Sequence, residues 1–298
     1  MSFSSDFRSF GALFLAAMII GLVPIFVRLT ELDPSAAAFW RMFLSIPLIA
    51  IVFLSRPNNT QKNSTGFSAI SIAMVGVYFG LDLIFLHMSL AYTSVATASL
   101  LNNLAPVFVG IIAVFTGARL SGRYWLGLLI ALLGVLILMG PKLQTSEGMP
   151  VGEVAGLVSA FFFALYIREL EKARKFAGTW QILLWSGIAA SLTLAPIAFL
   201  FEVSVVPVTL ANWMAILGLA AVCQLFGQAC LVYAAAHLPG VLVSNGMLSQ
   251  TVFAAVFAFL FFDETLDAIQ AVGALVALCG ISIVLSRRSR SVQGTEAR

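Results

Sequence analysis

Residues 105–134 read APVFVGIIAVFTGARLSGRYWLGLLIALLG, and this stretch indicates the fold class. It holds the end of one long apolar run and most of the next, joined by a short turn that carries Arg119 and Arg123. Because lipid offers no partners to unpaired backbone groups, apolar runs of this length must be helical. The alternation of apolar and polar residues that is typical of a membrane β-barrel does not occur. The stretch therefore predicts two membrane helices connected by a basic turn.

The composition of the whole chain agrees with a membrane protein. Of its 298 residues, 61% are hydrophobic and 10% are charged, whereas soluble chains carry roughly 25% charged residues. The same figures exclude a disordered chain, and a scattered net charge of +3 does not indicate nucleic-acid binding. The three cysteines, Cys223, Cys230 and Cys279, lie in apolar runs without a CxxC spacing. They predict neither a disulfide framework nor a zinc site.

Ten apolar runs are long enough to cross about 30 Å of hydrocarbon, which takes about 20 helical residues. The connections between them are short, so we expect no soluble domain. We predict an all-α integral membrane protein with ten transmembrane helices. The predicted helices are Phe10 to Val27, Ala36 to Leu54, Phe67 to His87, Val95 to Phe115, Tyr124 to Met139, Val151 to Ile167, Trp180 to Phe201, Trp213 to Tyr233, Val241 to Phe262 and Ala268 to Leu285.

The positions of Lys and Arg predict the orientation in the membrane. If the N-terminus is cytoplasmic, thirteen of the 16 cations fall in cytoplasmic segments, and only Arg28 and Lys142 fall on the other side. Arg41 lies within the second helix. Since cytoplasmic loops carry an excess of Lys and Arg, we predict a multi-pass protein of the bacterial inner membrane with both termini in the cytoplasm.

The second half of the chain repeats the first at an offset of 146 residues. Five helices per half is an odd number, so the second copy must enter the membrane inverted relative to the first. We place the two five-helix repeats at residues 1–145 and 146–298. Inverted repeats are typical of secondary transporters, whose site lies at the repeat interface near the midplane. The identities are Leu120, Gly127, Leu129, Ala131, Leu132, Gly134 and Ile137, which recur as Leu266, Gly273, Leu275, Ala277, Leu278, Gly280 and Ile283.

The opening stretch resembles the repeat signature of the ten-helix EamA family of the drug/metabolite transporter superfamily: a Pro-led helix, a short basic turn and a Gly-spaced helix. The copy from Val252 to Gly280 has Val252 where the family commonly has Pro, and Glu264 takes the acidic turn position that Ala118 lacks. The resemblance covers essentially the whole chain. It implies two EamA-like repeats and transport of a metabolite or drug, commonly efflux, without specifying the substrate.

Two charged residues lie within predicted helices, where a central charge costs about 2.5–3.5 kcal/mol on insertion scales. Asp82 and Arg41 each lie about five residues, or ~8 Å, from the outer end of their helix. One interpretation is structural: Arg41 extends toward the interface and Asp82 pairs with it so that it is tolerated. The other is functional: the pair gates the outer mouth, or Asp82 takes up a proton.

Polar residues of the two halves correspond at the same offset and predict a shared cavity. Each of the four helices concerned carries two polar residues four positions apart on one face, which we call a polar stripe. Asn102 and Gln250 each lie one position away from a residue of such a stripe. The alternative is that these side chains only hydrogen-bond neighbouring helices, as amides in membrane bundles often do. Tyr78 and Asp82 correspond to Gln224 and Gln228, and Ser99 and Asn103 correspond to Asn245 and Ser249.

These features predict a secondary transporter that exports a small polar or zwitterionic metabolite by alternating access. The chain has no GK dipeptide and therefore no phosphate-binding loop for ATP, so a gradient, a counter-substrate or a proton must supply the energy. A facilitative channel is the alternative, although no ring of charge or filter-like glycine run occurs. An intramembrane enzyme would need clusters such as HExxH or GxSxG, which are absent. We expect no catalytic residues, cofactor or metal. The expected partners are the lipid bilayer and the metabolite, and the oligomeric state is not predicted.

Overall fold

The computed structural model describes residues 3–55, 66–93, 95–139, 150–262 and 267–285. Every element in these ranges is helical, and ten spans are long and apolar enough to cross a membrane. The predicted all-α class with ten spans is confirmed. We number the spans α1 (Arg8–Arg28), α2 (Pro34–Leu54), α3 (Ala69–Tyr92), α4 (Thr97–Phe115), α5 (Gly122–Met139), α6 (Pro150–Ala173), α7 (Thr179–Phe201), α8 (Leu210–Ala235), α9 (Gly240–Phe262) and α10 (Ala268–Leu285).

Several sequence predictions concern residues outside these ranges. The division between the repeats at residues 145 and 146 lies there, as do Glu264 and seven of the cations that predict the orientation. Those cations are Arg56, Lys62, Lys142, Arg287, Arg288, Arg290 and Arg298.

Three spans are interrupted near the middle. Proline explains two of the breaks, because Pro24 and Pro106 lie in the first turn of the segment that follows, where a missing N–H costs least. The break in α9 has no proline, since Val252 stands at the position equivalent to Pro106. The segments are Phe3–Ile20 and Val23–Arg28 around α1, Val95–Asn102 and Ala105–Phe115 around α4, and Gly240–Met247 and Ser249–Phe262 in α9.

The breaks in α4 and α9 lie at equivalent positions of the two repeats. Asn102, which ends the first segment of α4, corresponds at the offset of 146 to Leu248, which separates the two segments of α9. Both repeats therefore place a bend halfway along their fourth helix. A bend there frees backbone groups at membrane depth, which is tolerated where the backbone lines a cavity or is buried in protein.

The last helices of the two repeats, α5 and α10, pack closely through glycine. A Cβ atom on Gly134 would lie 2.1 Å from the backbone nitrogen of Ala277, and one on Gly280 would lie 2.2 Å from that of Ala131. Gly134 and Gly280 are 146 positions apart, and so are Ala131 and Ala277. The two repeats therefore make equivalent contacts with each other. Small residues allow this approach, which explains the Gly-spaced part of the repeat signature.

Two carboxylates join the start of α2 to the segment that follows α7, and one of them caps α2. The carboxylate of Glu202 accepts hydrogen bonds from the backbone N–H groups of Ser35 at 2.8 Å and Ala36 at 2.5 Å. In return, Oδ2 of Asp33 accepts from the N–H groups of Val203 and Ser204 at 2.9 and 3.0 Å. Carboxylates satisfy the unpaired donors of a helix N-terminus and complement its dipole. The two second helices of the repeats are thereby joined at this end.

Candidate functional site

A cavity of about 480 Å³ lies between the two repeats, and residues from nine of the spans form its described wall. It extends from Asp82, near the middle of α3, to Met139 at the end of α5 and Gln270 at the start of α10. The cavity therefore reaches the end of the bundle at which α5 ends and α10 begins. Its volume lies within the range of about 300–1,000 Å³ that is typical of small-molecule sites.

Six of the ten residues predicted to line a cavity line this one, and Arg41 joins them. They come from α3, α4, α8 and α9, the four helices for which the internal repeat predicts polar stripes. The six are Asp82, Ser99, Asn102, Asn103, Gln228 and Gln250.

The other four predicted residues are not among those that line the cavity. Gln224 accepts a hydrogen bond from Arg41, while Asn245 and Ser249 donate to carbonyl groups of their own helix, those of Val241 and Gly246. The ring of Tyr78 packs against Phe162 at 6.2 Å. These four side chains make contacts within or between helices, as the alternative interpretation proposes for such residues.

The carboxylate of Asp82 is only 3% exposed and is held through one oxygen. Ser159 donates to Oδ1 at 2.6 Å, and Nδ2 of Asn102 donates to the same atom at 3.0 Å. The amide of Asn102 also donates to Oγ of Ser159 at 2.7 Å. Within the described chain, Oδ2 of Asp82 makes no hydrogen bond. One carboxylate oxygen is thus fixed by α4 and α6, while the other is left for the cavity.

Asp82 lies deeper in the membrane than predicted. The helix of α3 continues to Tyr92 rather than ending near His87, so Asp82 lies ten residues from its end, a distance of ~15 Å instead of ~8 Å. The predicted depth is wrong, and the correction moves the carboxylate from the outer mouth to the middle of the bundle.

Arg41 is 5% exposed and is oriented by Gln224. Its Nε atom donates to Oε1 of Gln224 at 3.1 Å, and Gln224 lies in a π-helical segment of α8, Leu219–Gly227. Single-turn π segments occur often at functional sites. Of the ion pairs among described residues, none joins Arg41 to Asp82. In place of the pair that the sequence predicts, each charge has neutral partners and both line one cavity.

Helix α6 contributes two polar residues that the sequence analysis missed. Ser159 bonds Asp82, and the hydroxyl of Tyr166 donates to Oε1 of Gln228 at 3.0 Å. They lie seven residues apart and therefore on one helix face, which is the signal that a search for polar spacing in α6 would have found. Gln270, also missed, lines the cavity and forms a reciprocal cap with Asp267 at the start of α10.

An aromatic layer closes the deep end of the cavity. Phe79 and Phe163 line it, and both rings contact Tyr166, at 4.9 and 5.5 Å between centroids. Beyond this layer, Glu171 at the end of α6 accepts a hydrogen bond from the N–H of Gly240, which begins α9, at 3.3 Å. The second segment of α4 also packs against the first segment of α9. The cavity is therefore open at one end of the bundle and closed at the other.

The cavity holds one carboxylate, one guanidinium and several amides, which suits recognition of a charged or polar small molecule. No group of three or more His, Cys, Asp or Glu that could hold a metal ion occurs among the described residues.

Comparisons with known proteins agree with this architecture. The EamA-like transporter family matches residues 9–140 and 150–286. The pseudopaline exporter CntI of Pseudomonas aeruginosa is 32% identical over 251 residues, which cover 83% of this chain and 84% of that protein. An uncharacterized transporter of Archaeoglobus fulgidus is 25% identical over 284 residues, covering 91% and 94%. A solved crystal structure, 19% identical, shares the fold with a TM-score of 0.79 over 96% of this chain and 100% of its own.

Proposed function

This chain belongs to the EamA-like transporter family and is a membrane transporter, and we propose that it exports a small polar or zwitterionic metabolite by alternating access. The observation that carries the proposal is a cavity between inverted repeats that is open at one end of the bundle and closed at the other. A gradient, a counter-substrate or a proton supplies the energy, with Asp82 as the proton acceptor in the last case. Transporters built from inverted repeats bind their substrate at such an interface.

The bends in α4 and α9 provide the hinges for alternation. The segments Val95–Asn102 and Ser249–Phe262 both contribute to the cavity wall, while Ala105–Phe115 and Gly240–Met247 pack together at the closed end. The repeat offset relates each segment at the open end to one at the closed end. In the opposite state the two pairs exchange roles, so that the closed pair separates and the open pair comes together.

The orientation that we propose places both termini in the cytoplasm and the open end outside the bacterial inner membrane. The excess of Lys and Arg on one side supports it. Export is supported by the function of the P. aeruginosa relative, a pseudopaline exporter. The present state is then the one in which an exporter has released its cargo to the outside.

Reconstitution in liposomes tests the function. We expect saturable uptake of a radiolabelled metabolite that is accelerated when unlabelled metabolite is preloaded on the opposite side, because a carrier must return its site across the membrane. A screen across amino acids and nucleosides in inside-out vesicles identifies the metabolite, with protein-free liposomes as the control. Flux that rises linearly with concentration and shows no counterflow would instead identify a channel.

Cysteine labelling tests the orientation and the open end together. In a chain whose three native cysteines are replaced with alanine, S99C places a thiol on the cavity wall and S121C places one in the turn before α5. We expect a membrane-impermeant methanethiosulfonate reagent to label S99C in intact cells, and S121C only after permeabilisation. The two substitutions are chemically identical, so each is the control for the other. The reverse pattern would show that the open end faces the cytoplasm.

A further inference from the structure

We infer that Arg41 is the receptor for a carboxylate group of the substrate. The inference rests on the proposed function, since it assumes that the cavity between the repeats is the substrate site. It also assigns the orientation of the substrate in that site. The anionic end of the substrate binds at Arg41 on α2, and a cationic end binds at Asp82 on α3.

The guanidinium of Arg41 has the features of a built anion site. The side chain is 95% buried and lines the cavity, and its Nε atom is fixed by Gln224 at 3.1 Å. Neither Nη group donates a hydrogen bond to the described part of the chain. The planar fork of an arginine binds a carboxylate through two parallel hydrogen bonds. A substrate carboxylate in the cavity would accept hydrogen bonds from these Nη groups.

Electrostatics favours the same conclusion. A buried charge without a counter-ion is costly, and the cost falls when an opposite charge with good geometry joins it. The hydrogen-bonding partner of Arg41 is a neutral amide, and Asp82, the other charge on the wall, is occupied through Oδ1 by Ser159 and Asn102. Each charge in the cavity is therefore available to a ligand group of the opposite sign.

Apolar side chains surround these two charges. Leu83, Leu86, Leu231, Met247 and Phe163 form much of the remaining wall. A ligand with a short aliphatic body and one charged end therefore suits the site as a probe. The matched set is 4-methylpentanoate, which carries a carboxylate, its uncharged amide, and 3-methylbutylamine, which carries an ammonium group.

Equilibrium binding of these probes to the purified full chain in detergent tests the assignment. We expect the wild-type protein to bind 4-methylpentanoate at least about tenfold more tightly than the amide, since a buried charged pair contributes about 1.4 kcal/mol or more, and 1.4 kcal/mol is a factor of ten. Arg41→Gln should remove this preference and leave 3-methylbutylamine binding undiminished. Asp82→Asn should have the opposite effect: it should weaken binding of 3-methylbutylamine and leave binding of 4-methylpentanoate unchanged.

A second variant keeps the test valid if Arg41→Gln does not fold. Gln224→Glu is isosteric, retains the arginine and supplies an internal carboxylate next to Nε, so it should weaken 4-methylpentanoate binding about tenfold through competition for the guanidinium. Binding that is unchanged in both variants, or a wild-type protein that does not prefer the carboxylate to the amide, would overturn the assignment. Tighter binding of inorganic phosphate with the same dependence on Arg41 would also overturn it, in favour of a phosphoryl group.

This binding series is separable from the transport experiment. The series needs no turnover, so an absence of counterflow with intact Arg41-dependent binding contradicts only the proposed function. Counterflow that persists while the series fails contradicts only the assignment of Arg41.

Discussion

Replacing Asp82 with asparagine should reduce transport more than any other single substitution at the cavity. The asparagine keeps an Oδ1 atom that can accept from Ser159 and Asn102, so the local geometry is retained while the charge is lost. Truncating one member of a buried charged interaction costs about 2–5 kcal/mol. We therefore expect initial flux at sub-saturating substrate to fall more than about tenfold, at 1.4 kcal/mol per factor of ten.

The pH dependence of flux decides what the carboxylate does. If Asp82 takes up the coupled proton, the remaining flux of Asp82→Asn should no longer vary with external pH, because asparagine does not titrate. Glu153→Gln is the matched control, since it removes an exposed carboxylate from the first turn of α6 and should change neither rate nor pH profile. Flux and pH dependence equal to those of the wild-type protein would exclude Asp82 from both binding and coupling.

The sequence could point to Asp82 because a charge within an apolar run is conspicuous by itself. For Ser159 the only sequence signal is its spacing from Tyr166 on one face of α6, and its role is evident only once α6 is packed against α3. The predicted distance of Asp82 from the end of α3 is also too short. The apolar run that predicts α3 ends at His87, but the helix continues for five residues beyond it.

Only some of the side chains predicted to line a cavity are found in the wall of this one, and α8 shows why. Gln224 and Gln228 are four residues apart, which places them on one face of an α-helix. Gln224 lies in the π-helical segment Leu219–Gly227, where its side chain bonds Arg41, a residue of the cavity wall. Gln228 lines the cavity and Gln224 contacts Arg41. Periodicity predicts the face on which a side chain lies, but not which partner it contacts there.

The bends in α4 and α9 also show that local sequence predicts only part of the backbone geometry. Pro106 predicts a bend in α4, whereas nothing in the residues around Leu248 predicts the equivalent bend in α9. The internal repeat does predict it, because Leu248 corresponds to Asn102, the residue that ends the first segment of α4, at the offset of 146. Symmetry between the halves therefore carries information that local propensity does not.

Gly134→Ala should cause one of the largest losses of stability among alanine substitutions of the described glycines. The new Cβ would lie 2.1 Å from the nitrogen and 2.5 Å from the Cα of Ala277, and backbone atoms cannot move aside as a side-chain end can. Overpacking of this kind costs about 1–3 kcal/mol. Thermal unfolding of the purified protein should record the loss. Gly11→Ala is the matched control, because nothing lies within 4 Å of its added methyl group, and alanine is favoured over glycine within a helix by about 0.5–1 kcal/mol.

The inverted repeat adds a second requirement to this prediction, because the equivalent substitution in the other repeat must cause an equal loss of stability. Gly280→Ala would bring its Cβ to 2.2 Å from the nitrogen of Ala131, so its cost should match that of Gly134→Ala. The double variant should lose less than the sum of the two, since separating α5 from α10 relieves both clashes at once. In a membrane, close packing of small residues does much of what the hydrophobic effect does in water. Two unequal single losses that simply add would mean that the contact between α5 and α10 is not shared equally by the two repeats.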